Sequence, residues 1–302
     1  NAHDVLDSKS FDVDEDVIYN EANDGKRESD VTEAINHFDN VSNGNSITYV
    51  SRADWEGTDV TERPDWKDAS EEIIDALENP KFPVDDSDEP ITFAKNGLTV
   101  DDMKGLDYDD PQWDKLLEQL SLDDMVQLTG FGGFATAEVS SVGKYKTMDT
   151  DGPAGINGLV NGASGIQYTS AVTLASTWNQ ELAQKLGESM SNEAKVYGVS
   201  GLYAPAMNIH RTAFGGRNFE YYSEDGVLAG KTAAGFARGT AENGIYCYIK
   251  HFALDNQETN RENVCVWTSE QAIREVYLKA FELAVKEGNA TAVMDADSRI
   301  GT

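Results

Sequence analysis

Apolar and polar positions divide the chain into two textures. Before about residue 110, apolar residues recur without a sustained period. Residues 46–51, Ser-Ile-Thr-Tyr-Val-Ser, have strand composition. Residues 70–78 read as a short helix, with Ser70 as its cap and Ile73, Ile74 and Leu77 as its inner face. Residues 80–110 mix prolines with many carboxylates and read as a surface linker. From Pro111 onward the pattern becomes regular. Pro111 starts a helix that places Trp113, Leu116, Leu117 and Leu120 on one side. Ser121 and Asp124 have capping-box spacing for the next helix, with Met125 and Leu128.

Strands and helices then alternate. A short strand over 146–150 ends at Asp151-Gly152-Pro153. Trp178, Leu182, Leu186 and Met190 recur every four residues and predict an amphipathic helix. Residues 200–209 are strand-like, 226–242 form an Ala-rich helix, and 245–252 form an aromatic strand. Thr268 to Gln271 suits another capping box, with Ile273, Tyr277, Phe281 and Ala284 facing inward behind it. Thr291 to Met294 reads as a strand. This alternation predicts βα units and a parallel sheet. Polar clusters follow the strands at 151, 208–217 and 250–258, the arrangement of a (β/α)₈ TIM-type barrel with its site on the strand-end loops. A dinucleotide-binding alternative fits less well. Gly130 to Gly133 lacks the glycine spacing and follows a helix. The expected organisation is an acidic extension and linker over 1–100, the tail of a preceding domain, followed by a partial α/β barrel over 101–302.

Charge sharpens that division. The net charge is −30. Residues 1–125 carry 35 acidic against 10 basic residues, and residues 126–302 carry 19 against 14. This balance argues against a nucleic-acid partner, because phosphate binding needs stripes of Lys and Arg. It reads as a solvated surface. No twelve-residue calcium loop is present. Two cysteines, Cys247 and Cys265, read as reduced core thiols. With four scattered histidines they do not supply a zinc site, and no cofactor is implied. No apolar run approaches the roughly 18 residues a membrane helix needs. The N-terminus has no signal-peptide pattern, but a mature chain with its signal removed would look the same, so no compartment is assigned.

Three clusters carry chemistry. Lys250-His251 lies at the end of the aromatic strand. A lysine donates to sugar hydroxyls as a point charge, and a histidine adds a directional donor. The competing reading is a structural pair. Arg217 lies in Gly215-Gly216-Arg217-Asn218-Phe219-Glu220-Tyr221-Tyr222-Ser223-Glu224-Asp225. Its guanidinium can grip neighbouring hydroxyls, or it can pair internally with Glu220 or Glu224. Asp151 can accept from two vicinal hydroxyls, or simply cap its turn.

Taken together these segments resemble glycoside hydrolase family 3. The resemblance rests on Asp151-Gly152-Pro153-Ala154-Gly155, on Ala204-Pro205-Ala206-Met207-Asn208-Ile209-His210-Arg211 running into 216–225, and on Lys250-His251-Phe252-Ala253 with Asn256 to Arg261. It covers about residues 100–302. Thr48 to Thr58 looks like the lead-in of members with permuted domains. The resemblance implies a retaining β-glycosidase, with an Asp nucleophile and commonly a Glu acid/base standing about 5–5.5 Å apart. It implies that Asp151, Arg217, Lys250 and His251 hold the innermost sugar of a small oligosaccharide or β-glucoside.

The end of the match departs from the family pattern. Where the family carries an aromatic and an Asn, this chain has Asp297 and Ser298. Asp297 thus reads as an altered subsite. On the family's order it stands one strand too early for the nucleophile. The expectation is a barrel truncated before its last strands and completed by another chain or segment. No catalytic nucleophile or acid/base is assigned. The alternative from another class is a catalytically inactive structural or self-assembling protein derived from a glycosidase barrel.

Overall fold

The computed structural model describes residue 10 and residues 69–79, 93–130, 132–159, 161–268 and 272–301. Every element below lies in the unit Phe38–Thr302. The strand expected at 46–51, the lead-in over Thr48 to Thr58 and most of the acidic extension lie outside the described residues.

Helix α1 (Glu71–Glu78) starts where the cap predicts, with Ser70 Oγ accepting the Ile73 N–H at 3.3 Å. Of the expected inner face, Ile73 is buried, Leu77 is half-buried and Ile74 is exposed. Ile73 and Leu77 share a stripe, whereas Ile74 sits about 100° around the helix. Within the expected linker, residues 93–110 hold more structure than their charge suggests. Thr99 and Asp102 cap a 3₁₀ turn over Val100–Met103, with Asp102 accepting the Thr99 N–H at 2.8 Å. Met103 is buried and packs with Leu116, Leu120, Val139 and Val142 in a small separate core. Four apolar residues, Leu98, Val100, Met103 and Leu106, join that core from between carboxylates. Helix α2 (Gln112–Leu117) follows Pro111 and buries Leu116, while Leu117 faces solvent. Helix α3 (Leu122–Gly130) begins with the expected reciprocal cap between Ser121 and Asp124, at 2.9 and 3.1 Å.

The main sheet contains β1 (Ala135–Thr136), β2 (Thr147–Asp151), β3 (Gly201–Tyr203), β4 (Tyr246–Phe252) and β6 (Ala292–Asp295), in that spatial order. β1 is antiparallel to β2, and β2 through β6 run parallel. β5 (Cys265–Val266) and β7 (Arg299–Ile300) form a separate parallel pair. Helices α4 (Ala171–Ala175) and α5 (Gln180–Val196) connect β2 to β3, and α6 (Gly226–Ala241) connects β3 to β4. Helix α7 (Leu278–Gly288), entered through a π-helical turn over Ile273–Tyr277, precedes β6. Parallel neighbours require such crossovers, so this is an α/β fold. The capping box expected at Thr268 to Gln271 lies largely outside the described residues, while Ile273, Phe281 and Ala284 are buried behind it.

The stripe expected on α5 faces the core only in its second half, at Leu186 and Met190. Trp178 is exposed and precedes the helix, and Leu182 is also exposed. The buried face is Ala183, Gly187, Met190, Ser191 and Ala194. Small residues win because α5 and α6 touch backbone to backbone. A Cβ on Gly187 would lie 2.2 Å from the Phe236 carbonyl oxygen, and one on Gly239 would lie 2.0 Å from that of Gln184. A leucine stripe could not approach so closely. The strand expected over 200–209 is also shorter. Pro205 has no N–H to continue the ladder. Pairing to β4 persists where Lys250 N–H donates to Pro205 O at 3.1 Å and Met207 N–H donates to Lys250 O at 2.7 Å.

Candidate functional site

In a strand, alternate side chains share a face. Asp149 and Asp151 on β2, Tyr203 on β3, and Tyr246, Tyr248 and Lys250 on β4 meet on one face of the sheet, as their contacts attest. The lower layer is centred on Asp149, which is fully buried. It accepts the Tyr246 hydroxyl at 2.7 Å and the Tyr248 hydroxyl at 3.0 Å. Tyr248 stacks on Tyr203 with ring centroids 4.3 Å apart, and Phe134 closes the stack at 4.9 Å. Burial raises the pKa of all three tyrosines, keeping their phenols protonated as donors.

One layer higher, Lys250 Nζ donates to Asp151 Oδ1 at 2.6 Å. The lysine side chain is 2% exposed and the aspartate 39%. Asp151 Oδ1 also accepts the Gly152 N–H at 2.8 Å. Asp151 therefore caps its turn and pairs with Lys250 at once. The turn needs glycine: Gly152 has φ +128, and a Cβ there would lie 1.7 Å from the Gly155 carbonyl oxygen.

His251 points into a second group. Its backbone N–H donates to Asn208 Oδ1 at 2.6 Å, and Asn208 Nδ2 donates to the His251 carbonyl at 2.7 Å. Tyr221 Oη lies 3.2 Å from His251 Nδ1 and donates to Asp255 Oδ2 at 3.2 Å. Burial, and then the nearby cations Arg217, Lys250 and Arg261, push the His251 pKa down to about 2. The ring is neutral at ordinary pH. Burial, then Glu258, lifts the Asp255 carboxyl, while Arg217, Tyr221 and Arg261 pull it down.

Arg217 is paired with the buried Glu220. That is one of the two internal partners the spacing allows, and Glu224 instead faces solvent. Arg217 Nε also lies 3.9 Å from Glu258 Oε1. Glu258 Oε2 accepts from Arg261 at 3.0 Å, and Arg261 Nε reaches Asp297 Oδ2 at 2.9 Å. Charges thus alternate Glu220, Arg217, Glu258, Arg261, Asp297, tying the loops after β3, β4 and β6 together. A shallow recess beside Arg217, Tyr221, Asp255 and Glu258 opens from this array and encloses essentially no space of its own.

The structure brings Asp151 to Lys250, and His251 to the neighbourhood of Arg217 and Lys250. Asp297 joins the array through Arg261. Sequence reasoning assigned no role to Asn208, Tyr221, Asp255 or Asp149. A signal for Asp149 was present, since Tyr246, Tyr248 and Lys250 alternate along β4 and need an acceptor opposite. Among the described residues no cluster of three or more His, Cys, Asp or Glu side chains is placed to hold a metal ion. Cys247 and Cys265 are free thiols, and burial pushes the Cys247 thiol up to about 12. Among the described residues no helix is long and apolar enough to cross a membrane.

Parallel βα units with polar side chains gathered at the strand ends define an α/β protein with a strand-end site. The chain belongs to glycosyl hydrolase family 3: the family's N-terminal domain matches residues 147–300. Beta-glucosidase B of Emericella nidulans is 39% identical over 191 residues, 62% of this chain and 23% of that protein. Beta-glucosidase A of Butyrivibrio fibrisolvens is 41% identical over 183 residues, 57% of this chain and 22% of that protein. The structure of β-glucosidase 3B from Thermotoga neapolitana in complex with α-D-glucose matches with 40% identity and a TM-score of 0.57, over 63% of this chain and 30% of that one. The chain spans about a quarter of the length of the curated relatives it matches.

Proposed function

We propose that this chain carries the sugar-holding part of a retaining β-glycosidase of the β-glucosidase type. Its substrate is a small oligosaccharide or β-glucoside ending in β-linked glucose or xylose. The observation that carries the reading is the Lys250–Asp151 pair at the ends of β4 and β2. A buried ammonium and a half-open carboxylate there offer a donor and an acceptor to vicinal hydroxyls. Arg217 and His251 add a guanidinium and a neutral imidazole beside it. The glucose named with the Thermotoga neapolitana structure supports a ligand of this size and chemistry.

The parallel run β2-β3-β4-β6 is read as an arc of a (β/α)₈ barrel. Among the described residues β6 pairs only with β4, and Val293 on it is half exposed. Further strands from another segment or chain would cover that edge. No nucleophile is assigned within this chain. Asp151 is engaged by Lys250, and Asp297 by Arg261.

Calorimetric titration with methyl β-D-glucoside and methyl β-D-xyloside tests the reading. Lys250→Ala and Arg217→Ala should each weaken binding about 10- to 100-fold, the worth of a charged hydrogen bond. Binding that neither substitution alters would remove the sugar-site reading.

A further inference from the structure

Among the described residues, the polar neighbours of the buried His251 ring gather at Nδ1. Nδ1 lies 3.3 Å from Asn208 Oδ1, 3.2 Å from Tyr221 Oη and 3.6 Å from Asp255 Oδ2. None of the hydrogen bonds among the described residues uses Nε2.

The identity of each neighbour decides where the ring proton sits. Asn208 is locked in orientation, because its Oδ1 accepts the His251 N–H while its Nδ2 donates to the His251 carbonyl. The atom it shows to Nδ1 is therefore an acceptor. Tyr221 has one phenolic proton and two candidate acceptors, Nδ1 and Asp255 Oδ2. A carboxylate is the stronger acceptor, so the phenol donates to Asp255. The phenolic oxygen then turns a lone pair toward His251. Both neighbours within hydrogen-bond reach of Nδ1 call for a proton on that nitrogen.

We propose that Asp255 acts through Tyr221 as a positioning residue that holds His251 in the Nδ1–H tautomer, leaving Nε2 as an acceptor for a hydroxyl of the bound sugar. The ligand half of this proposal rests on the function proposed above, and the tautomer half on the hydrogen-bond geometry alone. It reverses the expected role of His251 from donor to acceptor. Lys250 can only donate. A sugar hydroxyl does both, so the adjacent side chains would satisfy opposite halves of the hydroxyl pattern. The neutrality of the ring at ordinary pH makes its tautomer a defined property. His210 supplies an internal reference. Its Nε2 lies 3.0 Å from the Tyr221 carbonyl, which can only accept, so His210 is protonated on Nε2. Tyr221 stands between two histidines of opposite tautomer.

Two-bond ¹⁵N–¹H spectra of the histidine-labelled protein near neutral pH read these tautomers directly. The wild type should show Nδ1–H at His251 and Nε2–H at His210. In Asp255→Asn the side-chain amide can donate to the phenol, turning its proton onto Nδ1. His251 should then shift toward Nε2–H while His210 stays unchanged as the check on folding. Binding of methyl β-D-glucoside should weaken about tenfold, one hydrogen bond's worth. The wild-type spectrum, with His210 as its internal reference, carries the test where Asp255→Asn does not fold. An Nε2–H tautomer at His251 in the wild type, or an unchanged Nδ1–H in folded Asp255→Asn, overturns the proposal. A wild type that shows the expected tautomers but binds no glucoside overturns the ligand half and, with it, the sugar-site reading, while upholding the relay.

Discussion

Lys250 Nζ and Asp151 Oδ1 stand 2.6 Å apart across 99 residues of chain, joining β4 to β2 over the intervening β3. The pair is lopsided: the lysine is buried and the aspartate is partly in solvent. Removing the aspartate charge strands an ammonium in the interior. Asp151→Asn should therefore lower unfolding stability by about 2–4 kcal/mol, somewhat under the cost of breaking a fully buried pair because Asp151 is partly solvated. Lys250→Met removes the buried charge itself and should cost less, under about 2 kcal/mol. Urea titrations of the two variants check the order. Equal losses would mean that burial of Lys250 carries no penalty that Asp151 offsets.

His251 links this site to pH. Its unfolded pKa is near 6.5 and its folded value is depressed to about 2, chiefly by burial. Below about pH 6.5 the unfolded chain takes up a proton that the folded ring refuses. The contribution of His251 is fully present above pH 6.5 and is lost as pH falls toward 2, at no more than about 1.4 kcal/mol per pH unit. Asp255 acts with the opposite sign. Its raised carboxyl costs stability at neutral pH, and that cost is relieved as pH falls through its folded value. The two are separated by comparing the wild type with His251→Asn between about pH 7 and pH 5. The wild type should lose stability more steeply. Parallel curves would show that the ring is not protected from protons as its burial requires.

Much of this arrangement was legible in the chain. The strand ends at Asp151 and after Lys250-His251 follow from turn residues and alternating aromatics, which are local signals. Capping at Ser70 and Ser121 was legible for the same reason. The buried face of α5 was legible only in part. Of the expected stripe Trp178, Leu182, Leu186 and Met190, only Leu186 and Met190 face the core, and the close contact is made by Ala183 and Gly187. Hydrophobicity does not announce a close backbone approach, because it is a property of the partner helix as much as of α5. Nor was the surround of His251 legible. Asn208 and Tyr221 come from the connection after β3 and Asp255 from the one after β4, and they converge only when β3 and β4 lie side by side.

The α5–α6 contact makes its own prediction. Gly239→Ala drives a methyl against the Gln184 carbonyl, and backbone cannot swing aside as a side chain can. It should destabilise by about 1–3 kcal/mol, the usual cost of overpacking. Gly130→Ala at the end of α3 meets nothing within 4 Å. There the alanine should be neutral or stabilise by up to about 1 kcal/mol through propensity. Thermal melts of both variants test the contrast. A tolerated Gly239→Ala would show that α5 and α6 can separate without loss.

Asp297 is the most tempting carboxylate in the chain, lying just beyond β6. Its geometry argues for an electrostatic part rather than a covalent one. Oδ2 faces Arg261 Nε at 2.9 Å, and Arg261 is gripped from its other side by Glu258. A carboxylate paired to a guanidinium is a weakened nucleophile, since part of its electron density is engaged in the ion pair. Asp297 is also half exposed, so the pair adds little to stability, under about 1 kcal/mol. Asp297→Ala should accordingly leave the unfolding midpoint almost unchanged and, with the remaining barrel strands supplied, should not abolish turnover of an aryl β-glucoside. Its effect should appear in sugar affinity, because Arg261 and Glu258 are freed to rearrange beside Arg217. Single-turnover assays with the aryl β-glucoside, run beside glucoside titrations, separate these outcomes. Complete loss of the covalent step at unchanged affinity would make Asp297 the nucleophile and overturn its electrostatic role.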